Sequence, residues 1–209
     1  MSKKSLLYIG AGVLLILSAI WSLASEALFM NPWLVEHEGI FRILFKMKYL
    51  RHYTQSMGGL AWITFLIMLA VGGALIVKGL APDMVPSVVL AGAFGLLSLF
   101  ALIGFARNFF EIFKNGRHFL VWVSALSSFL TLVAYGGMTA VIFMKDSFGG
   151  LYFVPAGALL CKAGMWFLIR IAGLFGVYPV GFGLCFFMLI GEIMLIAALF
   201  AAGMANNEE

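Results

Sequence analysis

The sequence predicts an all-α polytopic membrane protein: a bundle of about six transmembrane helices, with one amphipathic helix at the membrane surface after the first. Three observations carry this reading. Of 209 residues, 64% are hydrophobic and 11% charged, against roughly 45–50% and 25% in soluble domains. Mean hydropathy is +1.09. Six apolar runs recur along the chain, each near the ~20 residues a helix needs to cross a ~30 Å hydrocarbon core. Together these exclude a disordered chain, a nucleic-acid-binding domain and an ordinary soluble enzyme. The runs are continuous rather than alternating, which points to helices. In lipid a lone segment must satisfy its own backbone, and a helix does.

The first run, 6–28, follows Lys3 and Lys4. It is long for the apolar region of a secretory signal, so a retained transmembrane helix is expected. The other runs are 60–80, 87–106, 119–143, 152–174 and 181–203, forming one transmembrane domain over residues 1–209. Short punctuated gaps separate several of them. Pro82, Asp83 and Pro86 mark one turn, Asp146 with Gly149 and Gly150 a second, and Gly176 with Pro179 a third. Each predicts an antiparallel helical hairpin.

Residues 31–58 read differently. Phe41, Phe45, Tyr49 and Tyr53 repeat every four residues among Arg42, Lys46, Lys48 and Arg51, opposite an aliphatic stripe of Ile40, Ile43, Leu44, Met47 and Leu50. That pattern predicts a surface helix over about 33–57, aliphatics inward and bases among lipid headgroups. A cytosolic extension of the second helix is the alternative.

Two stretches of the chain also resemble each other. Ile43-Leu44-Phe45-Lys46 is followed by Arg51-His52-Tyr53, then Gly72-Gly73, Lys78 and Pro86; Glu111-Ile112-Phe113-Lys114 is followed by Arg117-His118-Phe119, then Gly136-Gly137, Lys145 and Pro155. Order is kept, which predicts a tandem parallel repeat with units of about 40–106 and 107–174. Both basic segments would then share one side of the membrane. Arg42, Lys46, Lys48, Arg51, Arg107, Lys114, Arg117 and Arg170 lie on that side, with Lys3, Lys4, Lys78 and Lys145 opposite. The positive-inside rule puts the basic connections in the cytoplasm and both termini outside. A plasma membrane or a bacterial inner membrane is the expected location.

Few residues break the apolar rule. Lys162 and Glu192 each fall near the middle of an apolar run, at equal distance from the turn centred near Val177. On adjacent antiparallel helices they should lie at one depth and form an intramembrane ion pair, since an isolated charge at the bilayer centre costs ~2.5–3.5 kcal/mol. Such a pair serves either helix register or a transported solute. Arg170 follows Lys162 on the same face, with Trp166 between them, as an interfacial anchor or an anion contact. Arg42, Lys46, Arg51 and Arg117 are candidate headgroup or anion contacts. No cofactor or metal is expected. His37, His52 and His118 all lie in connections, away from where a haem between helices would need them, and none shows zinc spacing. Cys161 and Cys185 read as small core residues rather than a disulfide framework.

No nucleophile elbow, metalloprotease motif or phosphate-binding loop is present in the sequence, so an enzyme is disfavoured. The preferred expectation is a non-catalytic integral membrane subunit or scaffold of a larger complex. The alternative is a small-solute or ion transporter or channel that uses Lys162 and Glu192. Expected partners are the lipid bilayer and other membrane subunits or a second copy of the chain; nucleic acid is not among them.

Overall fold

The structure, a computed structural model, describes residues 2–30, 59–144, 150–172 and 182–207, with side chains over 2–25, 62–144, 150–171 and 186–207. Six helices account for nearly all of this. They are α1 (Lys3–Met30), α2 (Gly59–Leu80), α3 (Ser87–Asn115), α4 (Phe119–Phe143), α5 (Phe153–Ala172) and α6 (Phe182–Asn207), with a 3-10 turn at Pro82–Met84. All six contain a stretch long and apolar enough to span a bilayer. The chain is an integral membrane protein of the all-α class. The surface helix expected over 33–57, with Arg42, Lys46 and Arg51, lies outside the described residues, and so does most of the basic stretch that opens the first repeat unit.

α3 departs furthest from its expected bounds. α3 continues to Asn115 instead of stopping near 106. Arg107 and Asn108 end the apolar run, but neither blocks helical backbone. At 29 residues the helix is about 43 Å long, longer than the ~30 Å hydrocarbon core, so its last turns project towards the headgroups. Glu111 to Lys114, part of the expected second repeat unit, is therefore the tail of α3. Trp122 Nε1 donates to Gly116 O at 2.9 Å, tying the start of α4 back to the end of α3.

The helices form a ring. Each packs on the next in sequence, α6 closes on α1, and α4 also meets α6 across the interior. Close approach fixes the α1–α2 pair: a Cβ on Gly72 would stand 2.9 Å from Gly12 O, so only glycine permits this spacing. Hydrogen bonds fix the α1–α6 pair. Ser18 Oγ donates to Gly191 O at 2.9 Å and Trp21 Nε1 to Phe187 O at 2.6 Å. The Trp21 and Phe187 rings also stack, with centroids 4.3 Å apart.

The described core has one main cluster. The helices alternate in direction, so both termini and the turn at Pro82–Met84 share one end, here the near end. The connections 31–58, 116–118 and 173–181 mark the far end. The main core cluster lies towards the near end on every helix: Leu15 on α1, Leu75 on α2, Phe94 and Leu97 on α3, Met138 on α4, Leu159 on α5 and Leu199 on α6. Lys78 belongs to this end too, and it is buried rather than among headgroups. Its Nζ donates to Ser87 Oγ at 2.9 Å and to Val85 O at 3.4 Å, and lies 5.6 Å from the Tyr8 ring centre. The turn brings these acceptors within reach of a long side chain, which removes the need to snorkel.

Candidate functional site

Towards the far end the interior changes character. α4 carries Ser124, Ser127, Ser128, Thr131 and Tyr135, whose spacing of three and four residues places them along one side of the helix. Asn108 Nδ2 of α3 donates to Ser128 Oγ at 2.6 Å and to Ser124 O at 3.4 Å. Trp166 Nε1 of α5 donates to Ser127 Oγ at 2.9 Å. Thr131 Oγ1 donates within its own helix to Ser127 O at 2.9 Å. Hydroxyl groups thus join α4 to both neighbours.

Contacts along the helix pairs fix the depth of the charged residues. In the antiparallel α5–α6 pair, a Cβ on Gly203 would lie 2.9 Å from Tyr152 Cβ. Further down the pair, the Phe167 and Phe186 rings meet edge to face at 5.6 Å. Lys162 is ten residues beyond Tyr152 and five before Phe167; Glu192 is eleven before Gly203 and six after Phe186. Both therefore lie on one level, to within about one 1.5 Å residue rise. The parallel α4–α6 pair adds a third member. Asn206 Nδ2 donates to Val141 O at 3.0 Å; fourteen residues back along each helix are Glu192 and Ser127. Ser127, Lys162, Trp166 and Glu192 thus make a polar level shared by three helices.

Within that level, Lys162 and Glu192 are each half-buried. Glu192 Oε2 is fully buried and has no hydrogen-bond partner among the described residues. The outward neighbours Ile190 and Ile193 are exposed, so the carboxylate is turned away from the lipid side of α6. Gly191 beside it packs on Trp21 of α1. The Arg170 guanidinium lies 5.8 Å from the Trp166 ring centre, two turns nearer the far end than Lys162. Arg117 is exposed in the connection between α3 and α4.

Chemically, the level offers a carboxylate oxygen awaiting a donor, an ammonium, and a hydroxyl that already accepts from an indole. A buried acceptor left unmet costs ~1–3 kcal/mol, and more when charged. An N–H, an O–H or a cation reaching Glu192 Oε2 would recover that cost. Among the described residues, no three His, Cys, Asp or Glu side chains come together in a group that could hold a metal ion.

Sequence reasoning finds Lys162, Glu192 and Arg170 by their charge. It misses Ser127, Ser128 and Asn108, which single hydropathy values pass over. The signal was present in the helical spacing of hydroxyl residues on α4. Comparison with known protein families, characterised proteins and solved structures finds no match to this chain.

Proposed function

We propose that the chain is a small-solute or ion transporter or channel, with its binding site on the level of Lys162 and Glu192. The observation that carries this reading is the buried Oε2 of Glu192, which has no partner among the described residues. The oxygen is turned away from lipid, so its missing partner has to fit among the helices. A small molecule or ion meets that requirement better than a neighbouring subunit docking from outside. The basic connections face the cytoplasm of a plasma or bacterial inner membrane in this proposal.

A second reading, a subunit of a larger assembly or a self-associating chain, is favoured by the outward face of α5. A Cβ on Gly157 or Gly164 would meet nothing within 4 Å, and Cys161 between them is exposed. Membrane helices pack on such small-residue faces.

One experiment separates the two. The protein is purified in gentle detergent, its co-purifying proteins are identified by mass spectrometry, and it is reconstituted on a solid-supported membrane. Amines, amino acids and carboxylates are then applied and the current recorded. The transporter reading expects one class to evoke a current that disappears in a folded Lys162→Met, Glu192→Leu variant. Stoichiometric partners, together with identical behaviour of wild type and variant, would transfer the conclusion to the subunit reading.

A further inference from the structure

We infer that the elbow between α3 and α4 is a docking surface for anionic phospholipid, with Arg107, Lys114 and Arg117 as its headgroup contacts. The inference stands apart from the transporter reading.

Every residue of the elbow, from Phe105 to Trp122, is described with its side chain. Its depth follows from helix length. Arg107 is twenty residues beyond Ser87, the first residue of α3, so about 30 Å separates them. That matches the hydrocarbon core. Arg107 is exposed, and a charge is costly inside the apolar layer. It therefore marks the far limit of that layer, and the last turns of α3 lie at headgroup depth.

The surface these turns present is both aromatic and basic. Phe110 is 65% exposed, Phe113 74%, Phe119 70% and Trp122 54%. Arg107, Lys114 and Arg117 are exposed among them. The spacing of Arg107, Phe110 and Lys114 puts all three on one side of α3. Phe113 is braced from behind by Phe109, whose ring centre lies 5.5 Å away. Trp122 spends its N–H on Gly116 O, which leaves an indole face outward. The one acid of the elbow, Glu111, accepts from Asn115 Nδ2 at 3.1 Å.

Two features select the occupant. Three bases against one acid call for an anion, and a phosphodiester suits both guanidinium and ammonium. The exposed rings call for an apolar body at the same place, which an acyl chain supplies and free phosphate does not. Aromatics and bases together are what the interface of an anionic leaflet attracts. The chain's own segment 31–58 is the competing cover. It carries Arg42, Lys46, Lys48 and Arg51 against Glu36 and Glu38, so its net charge has the same sign as the elbow and repels it.

Tryptophan quenching tests this in the full-length protein. Phosphatidylcholine vesicles receive increasing amounts of phosphatidylglycerol or phosphatidylcholine with brominated chains. The Trp122 share of the fluorescence is the difference between wild type and Trp122→Phe. That share should be half-quenched at a lower mole fraction of the glycerol lipid than of the choline lipid. A base near an anionic surface is worth about fivefold in partition, so Lys114→Gln should narrow the gap by about that factor. Arg107→Gln, Lys114→Gln and Arg117→Gln together should close it. All three side chains are exposed, so these variants keep the packed interior, and monodisperse gel filtration checks it. If Trp122→Phe does not fold, native mass spectrometry of wild type and the triple variant makes the same comparison through retained phosphatidylglycerol. Equal half-quenching by both lipids in the wild type would overturn the inference. So would a gap, or a retained-lipid count, that survives the triple replacement. A Trp122 share that neither lipid quenches would overturn it too, because protein would then cover the elbow.

Discussion

A section through the bundle at Phe94 and another at Ser127 follow different rules. At Phe94 the interior is filled by large apolar side chains from neighbouring helices, and the fully buried Phe94, Leu75 and Met138 share one cluster. At Ser127 the helices are joined by hydrogen bonds from side chains: Trp166 to Ser127, and Asn108 to Ser128 one helical position away. A carboxylate oxygen there is buried without a partner among the described residues. In lipid, helices gain little from the hydrophobic effect when they associate, because the tails are as apolar as leucine. Close packing and interhelical hydrogen bonds do the work. The Phe94 section is held mainly by packing; the Ser127 section is joined by side-chain hydrogen bonds and holds one acceptor that has no partner among the described residues. The difference shows how one small bundle can combine a section held mainly by packing with one joined by side-chain hydrogen bonds.

That contrast can be broken most directly in the near half. Phe94→Ala should destabilise the protein by about 3–5 kcal/mol, the range for an aromatic truncated in a packed core, read as loss of the folded state in a denaturant series. If the cost were under about 1 kcal/mol, packing would not be what holds the Phe94 section. A smaller effect is expected from Trp166→Phe, which removes the Nε1 donor to Ser127. Interhelical hydrogen bonds in bilayers average about 0.6 kcal/mol, so the same series should show a shift several times smaller than that of Phe94→Ala; equal shifts would erase the distinction between halves. Smallest of all is Glu192→Gln. Replacing a buried carboxylate that has an unmet oxygen should leave stability unchanged or slightly raised, while any solute-evoked current is lost. A strongly destabilised Glu192→Gln would instead mark the residue as a structural member of the ring.

The helices were legible because length and hydropathy suffice to identify a transmembrane segment, and each apolar run has its helix. The end of α3 was less so: hydropathy marks where the apolar run stops at Arg107, whereas the helix continues as long as its backbone bonds do. The shared depth of Lys162 and Glu192 followed from their equal distance to the turn, and the contacts of Tyr152 with Gly203 and of Phe167 with Phe186 place them level. Lys78 illustrates the opposite case. Its charge next to a turn reads as interfacial, yet the turn itself supplies Ser87 Oγ and Val85 O and takes the ammonium inside. The hydroxyl series on α4 was written in the spacing, but serines in a mostly apolar run can as readily bond back to their own helix. Only the positions of α3 and α5 decide which of them bridge.

The ring is closed by its first and last helices. The bond from Ser18 to Gly191 spans 173 positions of the chain. At about 5–20 residues per second of synthesis, α1 waits roughly 10–35 s in the bilayer before the segment that completes it has been made. During that interval Ser18 and the Trp21 indole lack the carbonyls of α6. The last helix therefore acts as a clasp in time as well as in space. Until it is inserted, the first five helices form an open arc, and a chain released before α6 emerges would leave the membrane holding an incomplete ring whose exposed edge is the hydrogen-bonding face of α1.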